Sequence, residues 1–454
     1  MKGRVVWPVW LMLNVFGAGP SLLGSEKTGS EATWILDLLE RKGLITRDEA
    51  EQTRAELQRR REITWEEYTR RSKWQVSRWV ERMDFHGDAR LRFEHRSGED
   101  GLQSGDDRQE LNRWRYRLRA GVRMEFSDQL RAGIQLQSGT SGRSGNVTFG
   151  GDAGPWGRDS DGLYVNQLYV QWTPLEWLAL TGGRQPSPFE ITWLVWDPDL
   201  QPEGLSEQLR YKWGSWEVAL TFGQFLYDDA NPDNPFGTGP GDADAYLFVQ
   251  QVAVRYGFNR HCSASVAPLL HVYTGAGDSY GGPFGGSTRA NSLGINDLMV
   301  LEVPWEVRYT GRPFPVRVFG DFALNLRGED RARAAGTPRF DEEHTAWMAG
   351  LELGNARGKG GWRVRAAWHS VGLYALDPNL MDTDVFDSRL NLQGLVLSGT
   401  YLFTDFCDLT LTYARADQRR ASLPTGASGD LGGALGTARL DDYQLFQADI
   451  SLRF

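Results

Sequence analysis

The stretch LNRWRYRLRAGVRMEF, residues 111–126, alternates basic residues with apolar and aromatic ones. Its arginines share one parity: Arg113, Arg115, Arg117, Arg119 and Arg123. A strand sends successive side chains to opposite faces, whereas a helix would scatter these arginines around its circumference. The stretch therefore predicts a β-strand with one charged face and one apolar face. Such a strand fits a soluble sandwich with a packed apolar face, or a membrane barrel whose charged face lines a wet lumen.

The composition excludes a helical membrane protein and leaves a barrel open. The 454-residue chain has a mean hydropathy of -0.46. Beyond the N-terminus, no apolar run approaches the roughly 20 residues that a membrane helix needs. Half of every barrel strand is polar, so a barrel also looks soluble on average. The 53 Gly, 18 Trp, 15 Tyr and 21 Phe suit turns, close strand packing and interfacial aromatic residues.

Charge and motifs argue against several other classes of protein. The formal net charge of -9 argues against a nucleic-acid-binding protein. The two cysteines, Cys262 and Cys407, lie far apart in the chain, so neither a disulfide framework nor a thiolate metal site is predicted. The sequence has no HExxH, GxSxG or phosphate-binding motif. We therefore predict no enzyme, no metal and no cofactor.

Residues 1–24 resemble a secretory signal peptide. Lys2 and Arg4 precede an apolar stretch, and small residues follow it, with cleavage expected after Gly19 or Gly24. The alternative is a buried apolar N-terminal segment. Export is the working prediction.

Residues 25–83 are predicted to form a short helical periplasmic segment. Trp34, Ile35, Leu38 and Leu39 form a helical stripe, and a capping box with the sequence TRDE opens a second helix at residue 46. One interpretation is a solvated helix pair. The other is a module that contacts the cell wall or a second copy through residues 31–83.

From Asp84 onward the hydrophobic period is two, and about sixteen segments have the length of a membrane-crossing strand. The connections alternate between long, as at 97–110, 138–162 and 187–203, and short, as at 127–128, 173–175 and 214–215. Outer-membrane barrels combine long outer loops with short periplasmic turns and an even number of strands. We therefore predict an all-β fold for residues 84–454, a transmembrane antiparallel β-barrel of about 16 strands. The last segment, FQADISLRF, ends at Phe454 and looks like the assembly signal of such barrels.

Four stretches resemble the bacterial "putative porin" family, whose members join short periplasmic helices to an outer-membrane barrel. These are ILDLLERKGLITRDEAEQ (35–52), FHGDARLRFE (85–94), LNRWRYRLRAGV (111–122) and GGRQPSPFEITWLVWDPDLQPEGLS (182–206). The resemblance implies a passive channel in the bacterial outer membrane without catalytic residues, and it does not supply the permeant solute.

The inward face of the predicted barrel is rich in cations, which favour anions in a pore. The candidates for the pore lining are Arg90, Arg92, Arg113, Arg115, Arg117, Arg119, Arg123, Arg184, Arg210, Lys212, Arg255, Arg317, Arg363 and Arg365. A wide, wet lumen would keep these charges hydrated without ion pairs. The alternative is that they brace the wall by pairing with carboxylates such as Asp88, Glu94, Glu125, Asp321, Glu352 and Asp449.

The sequence thus predicts a porin for small hydrophilic solutes or anions, in contact with outer-membrane lipid. A homotrimer is the assembly compatible with such a porin. The rival hypothesis is a structural barrel that anchors the membrane to the cell wall or sheathes a partner protein. Either segment 139–162 or segment 187–203 is expected to fold inward, because WLVWDPDLQP is too aromatic for a freely solvated loop.

Overall fold

The computed structural model of the chain describes residues 79–99, 108–139, 144–150, 162–228, 245–275, 297–425 and 439–454, with isolated residues at 40, 42, 51 and 55. The signal peptide predicted at 1–24 lies outside the described residues. The helices predicted within 25–83 also lie outside them, apart from those isolated positions and residues 79–83. Both remain predictions. The chain divides into two compact units, residues 1–78 and 79–454, and every strand described below belongs to the second.

Sixteen antiparallel strands form one closed barrel. The strands are β1 Arg82–Glu99, β2 Arg108–Glu125, β3 Leu130–Gly139, β4 Gly162–Leu175, β5 Leu178–Arg184, β6 Glu203–Trp213, β7 Trp216–Asp228, β8 Ala245–Gly257, β9 Cys262–Val266 with Leu269–Gly275, β10 Met299–Glu302 with Trp305–Tyr309, β11 Val316–Asn325, β12 Thr345–Gly354, β13 Trp362–Val371, β14 Leu392–Leu402, β15 Cys407–Gln418 and β16 Asp442–Arg453. Strands β9 and β10 are interrupted at Pro268 and Pro304, where the missing N–H breaks the ladder.

The barrel closes because β1 pairs with both β2 and β16. The β1–β16 register runs from Asp88 opposite Arg453 to Ser97 opposite Gln444. The β1–β2 register runs over the full length of both strands, from Arg82 opposite Glu125 to Glu99 opposite Arg108. Closure leaves no unpaired edge, and the prediction of an antiparallel barrel of about sixteen strands is confirmed.

The two faces of each strand meet different surroundings, as the alternation predicts. On the outward face, Phe85 is 73% exposed, Leu91 54% and Trp114 59%. On the inward face, Arg115 and Arg117 are each 8% exposed. Apolar residues therefore cover the outside of the barrel, and the interior is charged. This arrangement excludes the soluble sandwich, whose apolar faces would meet each other.

Short turns lie at one end of the barrel, here called the short-turn end, and longer connections lie at the other, the loop end. The turn at 214–215 is short, as predicted, and the turn at 258–261 is short as well. The turn expected at 173–175 lies instead at 176–177, because β4 continues through Leu175 past an irregularity at Pro174.

The described part of the barrel contains one α-helix, α1 Gly328–Ala334, at the loop end. Within the described residues, no helix has the length and apolar character needed to span a bilayer.

Candidate functional site

Two connections at the loop end fold back into the barrel. We call residues 185–202 the first inward segment and residues 372–391 the second inward segment. In the first, Leu194 is 1% exposed and Trp196 is 3% exposed; in the second, Leu373 and Tyr374 are each 1% exposed. Both pack in one apolar cluster with side chains of the β11 and β12 wall. The lumen is therefore occupied by chain at this level.

The first inward segment is tied to the wall by polar contacts. The Thr192 Oγ1 donates a hydrogen bond to Asp321 Oδ2 at 2.5 Å. The backbone N–H of Glu190 donates to Gln251 Oε1 at 2.8 Å, and the Gln251 amide donates back to the Glu190 carbonyl. These contacts agree with the expectation that WLVWDPDLQP folds inward. In the other segment expected to do so, only residues 144–150 fall in the described part; Asn146 and Val147 there are buried against β2.

The sequence reasoning missed the second inward segment, although the chain carries a sign of it. Residues 196–200 read WDPDL and residues 376–380 read LDPNL. Each forms the same turn: the N–H of Asp199 donates to Asp197 Oδ1 at 2.8 Å, and that of Asn379 donates to Asp377 Oδ1 at 2.9 Å. Both stretches begin with a large apolar residue, continue with Asp-Pro and then Asp or Asn, and end with Leu. This shared pattern could have indicated a second inward segment.

The two inward segments also contact each other directly. The N–H of Asp197 donates to the carbonyl of Leu380 at 2.6 Å. The two Asp-Pro turns are thus in contact with each other. Asp199 of the first turn lies opposite β2, whereas Asp377 of the second turn accepts a hydrogen bond from Tyr227 of β7.

Seven arginines of β1 and β2 form what we call the arginine wall: Arg90, Arg92, Arg96, Arg113, Arg115, Arg117 and Arg119. Acidic residues of both inward segments reach it. Arg92 lies 2.7 Å from Asp384, and Arg117 and Arg119 lie 2.8 and 3.1 Å from Asp199.

Carboxylates on the strands themselves complete the pairing of the arginine wall. Asp449 lies 2.7 Å from Arg92, and Asp88 lies 2.6 Å from Arg119. Glu94, which is fully buried, lies 3.0 Å from Arg96 and 2.5 Å from Arg113. These arginines are paired with carboxylates, which is the alternative that the sequence left open, and the inward segments supply Asp199, Asp384 and Asp387 among the partners.

The remaining predicted lining cations lie nearer the short-turn end, with one exception. Arg255, Arg317 and Arg365 pair with Glu190, Glu306 and Glu352 at 3.3, 2.5 and 2.9 Å. The others on the inward face are Arg123, Arg210, Lys212 and Arg363, which make no ion pair with any described residue.

The exception is Arg184. It shares a register position with Leu168, which is 58% exposed on the outward face, and it pairs with Glu203 at 2.5 Å.

The lumen geometry is that of a channel wall narrowed by folded segments, and a sequence comparison agrees with it. Residues 102–275 match the model of the "putative porin" family. The predicted resemblance to this family is thereby confirmed. The matched stretch of this porin-like chain runs from just before β2 to the end of β9 and includes the first inward segment.

Other comparisons give the following. The anion-selective porin from Comamonas acidovorans is similar in structure with a TM-score of 0.45 and 12% sequence identity, over 82% of this chain and 99% of that one. No curated protein matches the sequence.

The carboxylates of the inward segments of this porin-like barrel differ in the direction in which their pKa values are shifted. Burial and the charge of Asp384 raise the pKa of Asp382 to about 7. Burial and the charge of Asp382 raise the pKa of Asp197 well above its usual range. Burial opposes the ionisation of Asp384, but the charges of Arg92 and Arg90 hold its pKa well below the usual range. At neutral pH the inward segments therefore carry both fixed and titratable negative charge.

The described residues contain no group of His, Cys, Asp or Glu side chains arranged to hold a metal ion. What the arrangement offers chemically is a charged barrel interior partly filled by the two inward segments. The family match over residues 102–275 is consistent with the predicted channel.

Proposed function

We propose that this protein is an outer-membrane porin, a passive diffusion channel for small hydrophilic solutes. The observation that supports this most strongly is the closed sixteen-strand barrel with an apolar exterior, a charged interior and two segments folded into the lumen. A closed barrel satisfies every strand hydrogen bond without water, which is what a membrane demands. Passage by diffusion needs no cofactor.

We further propose a mild preference for anions, which arises from cations that make no ion pair with a described residue. In the strand pairing, Lys212 lies opposite Glu217 and Arg123 lies opposite Asp84. The seven arginines of the wall lie among six carboxylates, Asp88, Glu94, Asp199, Asp384, Asp387 and Asp449, so most of their charge is balanced and they chiefly brace the barrel. Arg123, Arg210, Lys212 and Arg363 lie towards the short-turn end and keep their charge exposed to the lumen. Rings of unpaired cations favour anions in a pore.

Reversal potentials in a salt gradient test the source of this preference. Replacing Arg123, Arg210, Lys212 and Arg363 together with glutamine should shift the potential towards cation selectivity. The matched variant, with Arg113, Arg115 and Arg117 changed to glutamine, should shift it less and should destabilise the barrel. A larger shift from the second variant would show that the arginine wall sets selectivity.

A structural barrel that anchors the membrane is the second candidate, and the occupied lumen favours it. Arg96, Arg331 and Arg389 are each 1% exposed inside the loop-end half, where the chain leaves little space. Planar-bilayer recordings separate the two functions: a porin gives stepwise currents, and a plugged anchor conducts nothing. Assembly as a homotrimer and cell-wall contact through residues 31–83 remain predictions.

A further inference from the structure

The outward face of the barrel carries a polar patch at a depth where membrane barrels present apolar residues. The polar patch consists of Arg184, Glu203, Glu207, Gln224 and Gln250, on β5 to β8. Cross-strand partners share a face of the sheet, so the register shows which way these side chains point. Glu207 is opposite Leu180 and Phe222. Gln250 is opposite Phe222 and Leu270, so both lie on the outward face. Phe222 is itself 39% exposed on that face.

The depth of the patch follows from the strand geometry. Glu207 lies six residues from Trp213, and Gln250 lies six residues from Tyr256, both at the short-turn end. A tilted strand climbs about 2.5 Å per residue, which puts both side chains roughly 15 Å above that end. The apolar band of such barrels is about 25 Å tall. Glu207 and Gln250 therefore face hydrocarbon rather than headgroups if nothing covers them.

Elsewhere the described strands follow the expected rule at this depth. Outward positions within seven residues of the short-turn end carry apolar, aromatic or glycine residues, as in Val318 and Phe322 of β11 and Leu351 of β12. Arg184, Glu207 and Gln250 are thus local exceptions at this depth in the described wall. Glu203 and Gln224 lie higher, at a level where Arg415 and Gln444 also occupy outward positions.

Contacts within the chain satisfy the patch only in part. Gln224 Nε2 donates to Glu207 Oε2 at 2.8 Å, and Arg184 pairs with Glu203. Gln250 is exposed and makes no hydrogen bond through its side chain to any described residue. In lipid, an unsatisfied amide and a half-satisfied carboxylate are costly, since no water replaces the missing partner.

We propose that the polar patch is the contact surface for a second copy of this chain. Copies in one membrane share orientation and depth, so a two-fold axis along the membrane normal brings the patch onto itself. With the axis beside Phe222, Glu207 of each copy faces Gln250 of the other, and a carboxylate meets an amide donor twice. Arg184, Gln224 and Gln250 donate while Glu203 and Glu207 accept, which makes the surface self-complementary.

The smallest closed arrangement of this contact is a two-fold dimer. A ring of three copies centred on the patch would set the same two side chains against each other, Glu207 of one copy against Gln250 of the next. The other described faces at this depth are apolar and offer Glu207 and Gln250 no partner. A dimer through β6 to β8 satisfies both side chains with two copies. Native mass spectrometry distinguishes it from the homotrimer expected from the sequence, and a trimeric mass would overturn the two-fold assignment.

Cysteine cross-linking of the full chain in liposomes tests the surface. In a background with Cys262→Ser and Cys407→Ser, Phe222→Cys should give a cross-linked dimer, about ten-fold more than Leu351→Cys on another outward face, because contact raises the effective concentration of the thiols. Equal yields from the two variants would overturn the proposal.

A second measurement separates loss of contact from loss of folding. Glu207→Leu combined with Gln250→Leu should convert the detergent-solubilised dimer to a monomer in native mass spectrometry, while the heat-dependent gel shift of a folded barrel is kept. The control Gln393→Leu, at the loop end of β14, should remain a dimer. A wild-type monomer, or a dimer that survives the double change, would contradict the proposal whether or not the barrel conducts.

Discussion

Glu94 shows how one buried residue holds several parts of the barrel together. It is fully buried on β1, and its carboxylate contacts Arg96 of the same strand, Arg113 of β2 and Gln447 of β16. Buried guanidinium groups are tolerated only when their charge is matched. Glu94 therefore links the three strands at which the barrel closes.

Replacing Glu94 with glutamine should destabilise the folded barrel by about 3–5 kcal/mol, because Arg96 and Arg113 would lose their buried counter-charge. Equilibrium unfolding of the barrel in detergent measures the loss. Glu110→Gln, at an exposed position of β2, should change the free energy of unfolding by less than about 0.5 kcal/mol. Equal losses in the two variants would rule out this role for Glu94.

Asp382 should make ion selectivity depend on pH. Its pKa is raised to about 7, so the side chain is neutral at pH 5.5 and ionised at pH 8.5. Ionisation adds negative charge to the second inward segment. The preference for anions should therefore fall as pH rises between those values. Reversal potentials at the two pH values measure the change. Asp382→Asn should be less dependent on pH, and an undiminished dependence in that variant would exclude Asp382 as its source.

At the scale of the element, the inward segments bury apolar residues, which solvent-exposed loops at a barrel mouth do not do. Leu194, Val195 and Trp196 are each at most 3% exposed, and Thr192 fastens the segment to Asp321 of β11. The barrel interior is wide, so a folded segment is needed to fill it and to supply acids to the arginine wall.

Deleting residues 191–201 should raise single-channel conductance, because the first inward segment would no longer occupy the lumen. The seven residues left between β5 and β6 still span the gap between neighbouring strands. Bilayer recordings measure the change, and the heat-dependent gel shift confirms that the barrel folds. An unchanged conductance in a folded variant would show that this segment does not limit flow.

The strands could be predicted from the sequence because alternation is local. Residues 111–126 alternate without knowledge of any neighbour, and the same is true of the other strands. The pairing of the arginine wall could not be predicted this way. Asp199 and Asp384 approach Arg117 and Arg92 from 82 and 292 positions away in the chain, and only the fold of the inward segments brings them there.

For the molecule as a whole, β16 decides whether the sheet becomes a barrel. It pairs with β15 on one side and with β1 on the other. Removing residues 442–454 should therefore leave two open edges and abolish the heat-dependent gel shift, since unpaired strand edges are not tolerated in lipid. A folded, membrane-inserted product would show that fifteen strands can close on their own.

The pairing of β1 with β16 joins the first residues of the cylinder to its last. The β1–β16 seam can form only after the last strand has been synthesised, so the preceding fifteen strands exist for a time in an unclosed state. In that state two strand edges and the outward apolar side chains are exposed, which makes the unclosed chain prone to aggregation.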